Sequence, residues 1–445
     1  MRAVHKERDE IKMKKTYRMQ RGIIAYTILA ILTVIWIFFL KIYPMFVEKV
    51  TLFNLPPINS NLSLAPIVIL VMSLFTGWSI RNKLWHGVPF ALTYYNMIRR
   101  LRRHIKDARF EDEREYDNRL VRLPKIKIEF DCNRSRTTGK VLIKNSIKFD
   151  KKLENMRIDS ALNGYISERN YLSDDRNWYV FEFYTIDSQK QAEFKTEEDY
   201  LTWTNVTSNE YSLRLDERTT VPFHHLGLSG QTGSGKSFFI QMLVDQITSK
   251  NIQHELFIVD PKRTDVYQMS MRLIGHDRTA DKTNAIELIK KFHQRMLKRQ
   301  DELQEYFKTN SNKTYQDAGL PALILLIDEF GALRESWKTL PKKERDEIDS
   351  ILADVAFIGR QIGCLLWTAT QQMNAQTMPT AIREQLVLKV ILGDSDEQTY
   401  RTLFASSVDI PPVQFTAGVG LYSYPKLASV DKPKMLAVPY CSYLE

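Results

Sequence analysis

Gly230-Gln231-Thr232-Gly233-Ser234-Gly235-Lys236-Ser237 is a complete G-x-x-x-x-G-K-[ST] phosphate loop. Glycines let the backbone turn tightly and aim several N–H groups at one point. The N-terminus of a following helix adds positive partial charge there. In this chemistry Lys236 reaches the β- and γ-phosphates of ATP, and Ser237 places its hydroxyl on Mg²⁺. Downstream, Ala322-Leu323-Ile324-Leu325-Leu326-Ile327 is a wholly apolar run ending in Asp328-Glu329. An acid pair after a strand is common, but about 90 residues beyond a full phosphate loop it reads as the Walker B partner. Asp328 is expected to hold Mg²⁺ with Ser237, and Glu329 to polarise the attacking water. Cys364–Thr370 reads as another strand, ending at Gln371, whose amide is placed to sense the γ-phosphate and orient that water.

These residues need a scaffold, and the pattern from about residue 216 supplies one. Leu226-Gly227-Leu228 is a strand end before the loop, and Phe238–Val244 continues as an apolar helix after it. Leu256–Asp260, residues 322–329, Cys364–Thr370 and Leu386–Leu392 are apolar strands between helical segments such as 282–307. That alternation predicts a RecA-like α/β motor with a parallel sheet over residues 216–445. Residues 119–215 read as a small α+β adaptor: Lys125–Phe130 and Trp178–Tyr184 alternate with period two, and 151–170 between them reads as helical.

The N-terminal fifth has a different composition. Residues 23–40 and 62–80 carry no charge and approach the length needed for a hydrocarbon core of about 30 Å. They predict a two-helix transmembrane module over 23–85, with 41–61 as a short external loop containing Pro44, Pro56 and Pro57. Eight Lys/Arg precede the first run and seven follow the second within residues 81–106, against two between them. The asymmetry places the basic 1–22 segment, both termini and the motor in the cytoplasm, at the cell membrane. Tyr94–Lys106 reads as a basic amphipathic juxtamembrane helix within 86–118, lying on anionic headgroups.

The net charge of +10 over 445 residues therefore says little about nucleic acid. The membrane flanks hold +13, which leaves 107–445 near −3. Cys132, Cys364 and Cys441 are widely separated, with no disulfide or zinc spacing. The segment from Arg334 to Arg345, with Lys338, Lys342 and Lys343, is a candidate DNA-facing loop, although Glu335, Glu344, Asp346 and Glu347 favour a solvated surface.

Taken in order, Gly230–Ser237, Asp260-Pro261-Lys262, Leu326–Phe330, Gly359-Arg360 and Ala369-Thr370-Gln371 resemble the FtsK/SpoIIIE-type DNA translocases over about residues 215–425. Ser395–Thr399, Gly418 and Gly420 are weaker echoes of that family's final motifs. Two membrane runs, no long linker and a single phosphate loop make the chain most similar to the short coupling proteins of Gram-positive conjugative elements. The resemblance implies an ATPase working as a homo-hexamer that passes DNA, independent of sequence, through a central pore. Its implied partners are a relaxase and a type IV secretion channel. Alternatives are chromosome or plasmid segregation, protein export, and a nucleotide-switched membrane receptor that recruits a relaxase. Family motors place an arginine, acting on a neighbouring subunit's nucleotide, just before the strand after Ala-Thr-Gln; here Gln385 stands there, which leaves Arg383, Arg360 and Arg401 as candidates.

Overall fold

The computed structural model describes residues 65–108, 123–147, 149–154, 156–186, 190–374, 377–411 and 413–444. The basic segment 1–22, the apolar run 23–40 and the loop 41–61 lie outside them. The chain divides into two compact units, Met1–Arg136 and Thr137–Glu445, so the segment read as an adaptor contributes to both.

In the first unit, helix α1 (Ala65–Arg81) covers most of the second apolar run. Its 17 residues span about 25 Å at 1.5 Å per residue. It stops where the Asn82 side chain donates to the Trp78 carbonyl and Lys83 turns left-handed with φ 57°. Among the described residues no helix is long and apolar enough to cross a membrane. The expected two-span module is thus not seen in this structure; what the second run forms is a shorter helix with Ile69, Val71, Met72, Phe75 and Ile80 all more than half exposed.

Helix α2 (Val88–Asp107) follows a left-handed turn at Gly87, with Pro89 pre-setting its first turn. Phe90, Met97, Leu101 and Ile105 recur on one stripe and are buried, while Arg99, Arg100, Arg102 and Arg103 are exposed. The Phe90 ring meets Phe130 of strand β1 (Ile126–Phe130) edge-on at 5.4 Å.

The second unit opens on three antiparallel strands, β2 (Thr138–Lys144), β3 (Tyr165–Leu172) and β4 (Trp178–Thr185), with β4 in the middle. Val141, Ile143, Phe181 and Phe183 fill the buried face. The helical expectation for 151–170 needs correction. Two short helices, α3 (Asp150–Glu154) and α4 (Asp159–Leu162), end at Asn163 (φ 38°) and Gly164 (φ 89°), and residues 165–170 are strand. That turn breaks the helix, and Tyr165–Leu172 then gain an antiparallel ladder with β4, bulged at Glu168 between Ser167 and Arg169.

A short strand β5 (Glu193–Phe194) and helix α5 (Glu197–Asn205), capped by the Thr196 hydroxyl on the Asp199 N–H, lead into the hairpin β6 (Ser212–Arg214)–β7 (Thr220–Pro222). The motor sheet follows. Its elements are β8 (Leu226–Gly230), α6 (Lys236–Thr248), β9 (Glu255–Val259), α7 (Asp265–Leu273), β10 (Thr279–Ala280) and α8 (Ala285–Thr309). Next come β11 (Leu323–Ile327), α9 (Phe330–Trp337), α10 (Lys342–Ile362), β12 (Cys364–Thr370), α11 (Thr380–Gln385), β13 (Leu388–Leu392) and α12 (Glu397–Leu403). The strands lie in the order β10-β9-β11-β12-β8-β13-β14-β15, where β14 is Val419–Ser423 and β15 is Lys434–Ala437. The first six are parallel; β14 pairs antiparallel with β13, and β15 antiparallel with β14.

Strands β8, β11 and β12 are buried along their whole length, which is why their residues form unbroken apolar runs rather than alternating ones. Each Leu or Ile of β11 removed from water contributes about 1.5–3 kcal/mol. A last strand, β16 (Tyr440–Cys441), pairs in parallel with β5. Arg218 ties the two sheets together: it meets Glu168 of β3 at 3.3 Å, donates to the Met435 carbonyl of β15 at 3.0 Å, and lies over the Tyr184 ring at 3.9 Å.

Candidate nucleotide-hydrolysis site

The phosphate loop joins β8 to α6, so its backbone sits at the carboxyl edge of the parallel strands, where ligands of such sheets bind. Gly235, at the helix N-cap, has φ 88°, a region L-residues seldom adopt. Gln231, Thr232 and Gly233 form an exposed rim, and Ser237 is half-buried in the first turn of α6. Ser234 is buried, and its hydroxyl has no hydrogen-bond partner among the described residues. An unsatisfied buried hydroxyl inside a ring of backbone donors suits a polyanionic ligand such as a nucleoside triphosphate.

Two glycines from the far end of the sheet back this loop. The Gly418 N–H donates to the Ser234 carbonyl at 2.8 Å. A side chain on Gly393, which follows β13 with φ 68°, would place its Cβ 2.9 Å from the Ser234 Cβ. Gly393 carries no local signal beyond a glycine after an apolar strand, and Gly418, just before β14, enters the sequence reading only as a weak motif echo. Their contact with the loop is set by β13 lying next to β8.

Lys236 reaches across β12 to the end of β11. Its Nζ lies 2.5 Å from Asp328 Oδ1 and 3.1 Å from Glu329 Oε1, with all three side chains buried. The Gln371 amide donates to the same Glu329 Oε1 at 3.2 Å, and Lys262 Nζ stands 3.3 Å from Oε2. The structure therefore brings together Lys236, Asp328, Glu329 and Gln371, the residues singled out from sequence, and adds Lys262. Glu329 itself is left-handed (φ 49°, ψ 45°) at the N-cap of α9, and its carboxylate is not used as a cap. Backbone strain of this kind, of the order of 1–2 kcal/mol, persists where surrounding contacts fix it.

The electrostatics follow from burial and pairing. Burial works against the ammonium of Lys236, but the two carboxylates outweigh it and hold its pKa above the ordinary value. Burial also disfavours the Glu329 carboxylate; Lys236 and then Lys262 overcome this and hold it below the ordinary range. At Asp328 burial outweighs the pull of Lys236 and raises the pKa. The charge of protonated Lys236 is thus balanced by two carboxylates.

Asp328 and Ser237 offer the hard oxygen donors that Mg²⁺ requires, with nucleotide phosphates completing the shell. Among the described residues no group of three or more His, Cys, Asp or Glu could hold a metal on its own. Lys236 now occupies Asp328 Oδ1, which also accepts the Glu329 N–H at 2.9 Å.

The remaining candidates lie elsewhere. Among the described residues no hydrogen bond or ion pair joins Arg383, Arg360 or Arg401 to this cluster. Arg383 is on α11, 3.5 Å from the Thr380 hydroxyl; Arg401 is on α12, paired with Glu397 at 2.6 Å; Arg360 is exposed in the last turn of α10. The expected DNA loop from Arg334 to Arg345 is mostly helical. Arg334 belongs to α9 and grips Asp349 of α10 at 2.5 Å, and Lys338 pairs with Glu335 at 2.7 Å. The Arg334–Asp349 pair ties α9 to α10, and Lys338–Glu335 is a local i,i+3 pair, beside an open cavity of about 330 Å³.

Residues 205–354 match the family described as the central domain of the helicase HerA. The FtsK domain-containing protein YdcQ of Bacillus subtilis (strain 168) is 25% identical over 180 residues, 40% of this chain and 36% of that protein. The DNA translocase FtsK of Oceanobacillus iheyensis is 26% identical over 230 residues, 46% of this chain and 28% of that protein. The chain thus spans about a third of the length of these curated relatives. Among solved structures, the pCW3 conjugation coupling protein TcpA, in monomer form with ATPγS, aligns with a TM-score of 0.45 at 15% identity. That alignment covers 77% of this chain and 95% of the other. The resemblance to FtsK/SpoIIIE-type translocases stated from the motifs is borne out by the FtsK-named relatives and the HerA central-domain match.

Proposed function

We propose that this chain is a membrane-anchored, ATP-driven DNA translocase that serves as the coupling protein of a conjugative system, delivering relaxase-bound DNA to a type IV secretion channel. The observation that carries the reading is the single buried cluster in which Lys236 bridges Asp328 and Glu329 while Gln371 holds Glu329. ATP binding replaces the carboxylates on Lys236 with β- and γ-phosphate oxygens, and the loop N–H groups of 231–236 cradle the phosphates. Asp328 and Ser237 would hold Mg²⁺, which would neutralise charge on the phosphates. Glu329, released by Lys236, takes a proton from the attacking water, and Gln371 orients that water.

DNA as cargo is supported by the FtsK translocase and FtsK-domain relatives, not by net charge. Membrane attachment is supported by the exposed large apolar residues of α1 and by the Lys/Arg asymmetry of the flanks. On this reading both termini and the ATPase unit are cytoplasmic. The working form is a homo-hexamer, with Arg383, Arg360 or Arg401 reaching a neighbour's nucleotide.

The test is Glu329→Gln in the full-length protein. It should bind ATP but lose turnover and DNA transfer, and wild-type turnover would refute the hydrolysis reading. DNA-stimulated ATPase activity of the unmodified protein tests the cargo. No stimulation combined with tight relaxase binding would favour a receptor instead.

A further inference from the structure

Lys262 has no part in the reading above, yet the turn that carries it is built with unusual care. Asp260, at the end of β9, is fully buried, and its carboxylate accepts from the N–H groups of Lys262 (3.0 Å) and Thr264 (2.7 Å) and from the Thr264 hydroxyl (2.6 Å). Pro261 fixes the backbone between them. Arg263 is left-handed with φ 53° and is clamped to the Asp281 carboxylate. A buried acid, a proline and a strained residue thus determine one four-residue turn, and the side chain it presents toward the site is Lys262, on Glu329 Oε2 at 3.3 Å.

The two oxygens of Glu329 have different partners. Oε1 faces Lys236 and Gln371; Oε2 faces Lys262. When Lys236 turns to phosphate, Oε1 becomes available on the phosphate side, and without Lys262 only the Gln371 amide would hold the carboxylate. We propose that Lys262 is the positioning residue for Glu329: it anchors Oε2 so that Oε1 stays aimed at the attacking water through the catalytic cycle. This rests on Glu329 being the general base. An ångström of misplacement at a reacting group can cost up to about 100-fold in rate.

The test compares Lys262→Met and Lys262→Arg with the wild type, full-length in detergent. It measures kcat and KM for MgATP, and the affinity of a fluorescent ATP analogue. Lys262→Met should lower kcat about tenfold or more while KM and analogue affinity stay within about twofold. Lys262→Arg, which keeps a cation on Oε2, should recover most of the loss. A structural role alone would not split kcat from KM in this way. Wild-type kcat in Lys262→Met, a rise in KM alone, or equal losses in both variants would each overturn the proposal. Glu329→Gln separates the two levels. If it turns over normally, the reading of Glu329 falls; if it is dead while Lys262→Met is normal, only the role of Lys262 falls.

Discussion

Gly393→Ala is expected to weaken ATP binding, although residue 393 lies 156 positions beyond the last phosphate-loop residue. The new Cβ would stand 2.9 Å from Ser234 Cβ and 3.4 Å from Ser234 Cα. Carbon atoms in good contact sit about 3.5–4.0 Å apart, so Ser234 must retreat by most of an ångström. It cannot do so freely, because its carbonyl holds the Gly418 N–H and its hydroxyl lies where a Gly230 Cβ would meet it at 2.4 Å. The backbone adds about 1–2 kcal/mol, since alanine disfavours φ 68°. Overpacking adds about 1–3 kcal/mol more. If half of the combined cost appears as loop displacement, binding loses about 1–2.5 kcal/mol, or roughly 5- to 70-fold in affinity. Competition of ATP against a fluorescent analogue measures this directly, and kcat at saturation should fall less than affinity does. Wild-type affinity in Gly393→Ala would refute the argument that β13 and its glycine set the shape of the loop.

Other predictions follow from the same packing. Gly359→Ala would raise intrinsic helix propensity in α10, yet its Cβ would fall 1.9 Å from the Cys364 carbonyl oxygen, so a thermal melt should show destabilisation of about 1–3 kcal/mol rather than a gain. Arg218→Ala should cost about 2–3 kcal/mol in urea unfolding, and Arg218→Lys should recover only part, because lysine cannot stack on Tyr184 while bonding both Glu168 and the Met435 carbonyl. His225 is buried with Nδ1 accepting the Leu366 N–H, and burial holds its pKa near 4 against 6.5 unfolded. Between these values the unfolded chain binds the extra proton. The stabilisation is therefore complete above pH 6.5 and fades as pH falls to about 4, by about 3 kcal/mol in all. Melting temperatures of His225→Gln should show a shallower slope than wild type across that window.

The site was legible in the sequence where its determinants are local. Buried parallel strands are continuous apolar runs, so Leu323–Ile327 and Cys364–Thr370 announce themselves, and the residues that end them, Asp328, Glu329 and Gln371, converge because the strands are neighbours. Lys262 was visible only as part of a motif. Its contact with Glu329 depends on β9 lying beside β11, which no local pattern encodes. Residues 165–170 carry the helical reading because every residue of β3 is half-buried, so the segment lacks the in-out alternation that marks a strand. In the Arg334–Arg345 stretch the interspersed acids point to a solvated surface, and Lys338, Lys342 and Lys343 are exposed; what the local pattern does not show is that Arg334 reaches Asp349 of the next helix.

The hydrogen bond from Gly418 to Ser234 also has a bearing on synthesis. At about 5–20 residues per second, the ribosome needs roughly 10 to 40 s to extend the chain from one residue to the other. Throughout that interval the nascent phosphate loop lacks the strand edge that braces it. Nucleotide is then poorly placed to act as a template for early folding.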